Sequence, residues 1–285
     1  MTKCVHFKKL YPLLPLLVVV CFAGFSLAQE SIFLANVAPV PVGNRYRPGL
    51  GSTWQWQLSG RVNTGYDVEI YDIDLFDTDQ AVIDALNEDG KKVICYFSAG
   101  SYEDWRADKN DFPADLLGKP LDGWPGERWL DIRDTRLARL MRARLDLAVQ
   151  KGCDGVEPDN MDGYLNTTGF ALRSDDQLAY NKFIANEARK RGLAVGLKND
   201  LEQITALEPY FDFGLTEQCY EYNECDKTAP FILKSKPVFN VEYKRKFIRN
   251  SDGARDQLCS DTKKLHLRTL VLPVELDDSF RYSCD

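Results

Sequence analysis

Gly152-Cys-Asp-Gly-Val-Glu-Pro-Asp-Asn-Met-Asp-Gly163 begins as a short strand and sets four acids, Asp154, Glu157, Asp159 and Asp162, within nine positions. In an extended chain alternate side chains share a face, so Glu157 and Asp159 point one way and Val156 the other. Two carboxylates aimed the same way from one strand end repel when buried and ionised, unless a partner or a chemical role compensates them. A solvated surface turn is the plain alternative, and the flanking sequence decides between the two.

On the N-terminal side, Leu137, Leu140, Met141, Leu145 and Ala148 fall on one helical stripe, which Asp134 opens as N-cap and Gly152 stops. On the C-terminal side a second helix runs from Ser174 to Arg191. Strand-like runs recur at 54–58, 68–74, 93–98, 128–132, 193–197, 211–217, 238–242 and 269–275. The 93–98 run is apolar throughout, as parallel strands buried on both faces are. Alternating strands and helices over this length predict an α/β fold, a single-domain (β/α)8 TIM barrel. With the opening stretch there is one strand more than a closed barrel needs, so either 128–132 or the last run is expected to lie outside it. The barrel domain is set at residues 52–285, and the Pro/Gly-rich residues 29–51 read as an N-terminal arm.

Residues 1–28 have the form of a secretory signal: Lys3, Lys8 and Lys9, an apolar run from Leu10 to Phe25, then Ser26-Leu-Ala28. The apolar run contains Pro12 and Pro15 and is short for a membrane span, so a secreted or periplasmic protein with no stable anchor is expected. Removing those three lysines takes the formal charge from −7 to −10. That excess of acid argues against a nucleic-acid partner and suits a neutral or cationic one. Beyond the signal lie Cys95, Cys153, Cys219, Cys225, Cys259 and Cys284. Spacing favours Cys219–Cys225 as a small loop and Cys259–Cys284 as a clasp, leaving Cys95 with Cys153. No cysteine pair has the spacing of a zinc knuckle, and only one histidine lies outside the signal, so no metal or cofactor is expected. A monomer is expected.

Alternation along the strands gathers charge at one end. Asp72 and Asp74 share a face, as do Glu157 and Asp159. Ala194 and Gly196 lead to Lys198, with Val195 and Leu197 facing the helices. Phe213 and Leu215 lead to Glu217, and Asn240 is expected to share the inner face with Glu242 while Val241 and Tyr243 face away. The C-terminal ends of the strands form the active-site mouth of α/β barrels. A mouth lined with carboxylates and poor in metal ligands points to acid–base chemistry, of which glycoside hydrolysis is the clearest case. Trp54, Trp56, Tyr102, Trp105, Tyr164, Tyr220 and Tyr222 fall at strand ends or in the following loops, where aromatic faces can stack on sugar rings.

Trp54-Gln-Trp-Gln-Leu58, Val93-Ile-Cys-Tyr-Phe-Ser-Ala-Gly-Ser-Tyr-Glu103, Gly155-Val-Glu-Pro-Asp-Asn160, Gly196-Leu-Lys-Asn-Asp200, Glu217-Gln-Cys219 and Val241-Glu-Tyr243 together resemble glycoside hydrolase family 114. The resemblance spans residues 50–277. It implies a (β/α)8 endo-α-1,4-polygalactosaminidase with Asp159 and Glu217 as the catalytic pair. It further implies that Glu157, Asn160, Lys198, Asn199 and Glu242 line the subsites of an amino-sugar polysaccharide. Two other functions stay open from the sequence: a non-catalytic polysaccharide-binding barrel, and a Schiff-base lyase using Lys198, which the nearby acids oppose by raising the lysine pKa.

Overall fold

The computed structural model describes Phe33, residues 36–41 and residues 43–285, so the expected signal, residues 1–28, lies outside the described residues. Eight parallel strands follow one another in chain order: Trp54–Gln57, Ile70–Asp74, Lys92–Ser98, Gly155–Asp159, Ala194–Lys198, Phe213–Glu217, Val238–Glu242 and Arg268–Val271. They are called here the first to eighth barrel strands. The surplus strand is the one predicted at 128–132. It forms Glu127–Leu130, the middle member of a separate antiparallel sheet with Ser101–Glu103 and Leu117–Pro120. This side sheet stands directly after the third barrel strand.

Strand alternation sorts the apolar residues into two layers. Trp54, Trp56, Ile70, Ala194, Phe213 and Val241 fill the barrel interior. Tyr71, Ile73, Val93, Phe97, Val156 and Val195 face outward into the helical layer. Each Val, Ile or Phe among them, fully buried, contributes about 1.5–3 kcal/mol. Gly196 is small of necessity, because a Cβ there would lie 2.3 Å from the Phe213 ring. The helix over Leu137–Lys151 buries the expected stripe and ends at Gly152, whose φ of 83° a glycine adopts without strain. Its start differs from expectation: Asp134 caps no helix but accepts the Arg136 N–H in a turn, and the helix begins three residues later.

No backbone ladder joins the eighth strand to the first among the described residues. Side chains bridge the seam instead. Trp54 Nε1 donates to the Arg268 carbonyl at 3.0 Å, and Arg268 Nε donates to the Ser52 carbonyl at 3.1 Å. The C-terminal Tyr282–Ser283 pairs antiparallel with the eighth strand, and the neighbouring Arg281 donates to the Trp54 carbonyl and to Gln55 Oε1. The three disulfides pair as the spacing predicts, and Cys259–Cys284 ties this C-terminal segment to the helix before the eighth strand. In the arm, Val40 N–H bonds to Asn186, and Arg45 forms a buried ion pair with Asp212 at 2.7 Å. No helix among the described residues is long and apolar enough to cross a membrane.

Candidate active site

The fourth, fifth and sixth strands each end in an inward charged side chain, and one ammonium group joins them. Lys198 Nζ lies 2.9 Å from Glu157 Oε1, 3.2 Å from Asp159 Oδ1 and 3.2 Å from Glu217 Oε2. Burial by itself would pull the lysine pKa down, but Asp159, Glu157 and Glu217 outweigh it and hold the ammonium well above the usual lysine range. Lys198 therefore stays charged, which removes the Schiff-base reading: an amine that keeps its proton is no nucleophile. It also sits 4.8 Å above the Trp56 ring, an attractive cation–π placement.

The three carboxylates have different surroundings. Glu157 is fully buried and also accepts a hydrogen bond from Trp56 Nε1 at 3.0 Å, so both its oxygens are spoken for below the cleft. Asp72 lies against it. Burial first, and the Glu157 charge second, push the Asp72 pKa well above the usual carboxylate range. Asp159 and Glu217 instead open onto a cleft of about 630 Å³. Tyr96 donates its hydroxyl to Asp159 Oδ2 at 3.0 Å, and Tyr243 donates to Glu217 Oε1. Burial, then the adjoining carboxylate, raise both phenols well above the usual tyrosine range and keep them donors.

The backbone turns sharply just beyond each of these strand ends. Asn160, Asn199 and Gln218, which follow Asp159, Lys198 and Glu217, have φ of 58°, 48° and 60°. Non-glycine residues adopt this left-handed region at a cost, which asparagine tolerates better than most. Asn199 Oδ1 returns a bond to the Glu217 N–H at 3.0 Å, and Asn160 Nδ2 donates to Ser98 Oγ at 2.9 Å. The turns thus fix the strand ends from which the two cleft carboxylates project.

The other expected residues divide. Asp74 reaches the cleft but is bound to Arg106 at 2.6 Å, which also pairs with Glu103 at 2.7 Å and so clamps the side sheet to the barrel. Asn160, Asn199 and Trp56 line the cleft. Trp54 does not: it is buried in the interior beside Trp56 and Phe239. Tyr102 packs edge-on against Phe112, and Tyr220 packs on Phe247 with its hydroxyl donating to Asp261, so neither faces the cleft. Glu242 is a correction. It points outward from the seventh strand, accepts the Tyr220 N–H at 2.8 Å, and leaves the inner face to Phe239, Val241 and Tyr243. Asn240 goes with it, facing Thr216 and Thr269 between strands. The sequence reading passed over Tyr96, Arg106 and Glu127, turned Tyr243 the wrong way and gave Asp162 no role, and all five line the cleft. Register alone could have found Tyr96, which pairs with Glu157 across the third and fourth strands.

A model of glycoside hydrolase family GH114 matches residues 37–285. The chain belongs to family GH114. Its structure is similar to Ega3 of Aspergillus fumigatus, solved in complex with galactosamine, at 39% identity and a TM-score of 0.81, covering 86% of this chain and 99% of that one. The fold is shared with the glycoside hydrolase domain of PelA from Pseudomonas aeruginosa at 13% identity and a TM-score of 0.63, covering 80% of this chain and 97% of that one. A search of curated proteins gave no match. This GH114 member is therefore a glycoside hydrolase with a TIM-barrel fold, and the binding-module alternative falls away.

Proposed function

We propose that the protein is a secreted, endo-acting hydrolase of α-1,4-linked, galactosamine-containing polysaccharide, with Asp159 and Glu217 as its catalytic carboxyl pair. The observation that carries this reading is the single Lys198 ammonium in contact with both. Asp159 Oδ1 and Glu217 Oε2 each lie 3.2 Å from Nζ, so these oxygens are no further apart than twice that distance. The roughly 5–5.5 Å spacing of retaining enzymes fits within that bound. We accordingly assign a double displacement through a glycosyl–enzyme intermediate.

Asp159, the less exposed side chain at 20% against 27% for Glu217, is the nucleophile. Lys198 and Tyr96 hold both its oxygens in place for attack on the anomeric carbon. Glu217, on a longer and more accessible side chain, is the acid that protonates the leaving oxygen and then the base that activates water. Lys198 keeps the two carboxylates from repelling each other and offsets the charge that shifts between them during the reaction. The galactosamine bound to Ega3 and the acidic character of this chain both favour an amino-sugar polymer as substrate.

The test is reducing-end release from defined galactosamine oligomers. Asp159→Asn and Glu217→Gln are each expected to lower kcat by about 10²–10⁴-fold with the fold retained. An Asp159→Asn protein that still cleaves at the native rate would overturn the assignment.

A further inference from the structure

Resting on the amino-sugar reading above, we infer that Glu127 of the side sheet is the specificity residue that receives a free 2-ammonium group of the substrate. Most acids around the cleft already have a cation. Asp159, Glu157 and Glu217 share Lys198, and Asp74 and Glu103 share Arg106. Glu127 lines the same cleft, is only 7% exposed, and makes no ion pair among the described residues. One of its oxygens, Oε2, accepts from Ser101 Oγ at 2.7 Å. No donor reaches Oε1 among the described residues.

The bonds behind Glu127 all run toward it. Asn160 Nδ2 donates to Ser98 Oγ at 2.9 Å and to Ser101 Oγ at 3.2 Å. Ser101 spends its only hydroxyl proton on Glu127, so in the 2.6 Å contact between the two serines Ser98 is the donor. A chain of donors that ends on a carboxylate favours its charged form, and it starts at Asn160, next to Asp159. Burial, opposed by the Ser101 bond and reinforced by the nearby Glu103 and Asp159 charges, raises the Glu127 pKa to about 7, while Arg106 acts from a distance in the opposite sense. A buried, poorly compensated carboxylate is a costly group that an arriving ammonium would relieve. Trp105 and Trp124, both about half exposed, line the same part of the cleft and offer faces on which the sugar ring can rest. An N-acetyl group brings no positive charge to Glu127, so the residue selects deacetylated units.

The experiment measures calorimetric affinity for fully deacetylated and fully acetylated galactosamine oligomers in an Asp159→Asn background, with and without Glu127→Gln. The amide keeps the shape and can still accept from Ser101. The inference expects the ratio of deacetylated to acetylated affinity to fall by about ten- to a hundredfold, as for loss of one charge-assisted hydrogen bond. Glu127→Asp, which keeps the charge but draws it back, is expected to retain part of that ratio. Equal weakening toward both oligomers, or an unchanged ratio, would overturn the role of Glu127. Failure of the hydrolase reading is seen separately, as absence of cleavage by the native protein.

Discussion

At the scale of single residues, Lys198 carries the largest electrostatic burden. It is 2% exposed and faces a completely buried Glu157 as well as the two cleft carboxylates. Removing one partner of a buried pair leaves the other charge stranded, at a cost of about 3–5 kcal/mol. Lys198→Met is therefore expected to lose that much in urea denaturation at neutral pH, and adding Glu157→Gln to recover part of it. A loss below about 1 kcal/mol would mean the ion cluster is far better solvated than its burial implies. Asp200 offers the opposite sign. Burial, then the Asp162 charge, raise its pKa to about 8, against roughly 3.9 in an unfolded chain. The folded protein thus holds a proton there that the unfolded chain has released. The stability this group contributes is full below about pH 4 and is lost as pH rises through about 8. Asp200→Asn fits the left-handed backbone at φ 47° and can still accept from Asn181. The variant is expected to gain on the order of 1–3 kcal/mol over the native protein at pH 8 and much less at pH 4.5. An equal change at both pH values would show that Asp200 does not titrate as described.

At the scale of elements, the barrel mouth depends on how closely the third and fourth strands meet. Ala99 and Gly100 both donate to the Asp159 carbonyl, and a Cβ on Gly100 would lie 1.8 Å from the Asn160 carbonyl oxygen. Gly100→Ala has to displace the strand end that carries Asp159. A shift of about 1 Å costs on the order of 10²-fold in rate, so kcat is expected to drop by that much while far-ultraviolet circular dichroism stays native. Near-native kcat would show that the strand end yields without moving the carboxylate.

The same strands explain what the sequence made legible. Ala194-Val-Gly-Leu-Lys198 and Phe213-Gly-Leu-Thr-Glu217 each place a small or apolar inner face under one terminal charge, so their phase could be read directly. Val238-Phe-Asn-Val-Glu242 has a polar residue on one face and apolar residues on the other, and reading the acid as inward reversed it. The charge misled because Glu242 turns to the outer side, where one of its oxygens accepts the Tyr220 backbone N–H, a contact that no local pattern announces. Glu127 and Arg106 escaped notice for a related reason. Glu127 reaches the cleft from the side sheet and Arg106 from the loop after its first strand, and the docking of sheet and loop rests on ion pairs between segments some 30 residues apart.

At the scale of the whole molecule, stability rests on closing a cylinder whose last seam has no ladder among the described residues. The Cys259–Cys284 bond holds the segment that covers this seam, and Cys284→Ser releases a loop with a sequence separation of 25. Chain entropy puts the loss at about 3–4 kcal/mol. Thermal unfolding is the measurement, and an unchanged midpoint would assign the seam to Arg281 and Trp54 alone. By the same chain entropy Cys95–Cys153, with a sequence separation of 58, closes the longer loop and is expected to contribute at least as much.

The seam also sets the order of assembly. The bond from Arg281 to the Trp54 carbonyl joins positions 227 residues apart, so the two ends of the sheet find each other after the strands between them have paired. Until then the first and eighth strands are open edges, which invite pairing with another copy of the chain. A cell that keeps Cys259 and Cys284 reduced prolongs that exposure. Recombinant production is therefore expected to divide by compartment, with inclusion bodies from a reducing cytoplasm and dispersed protein from an oxidising one.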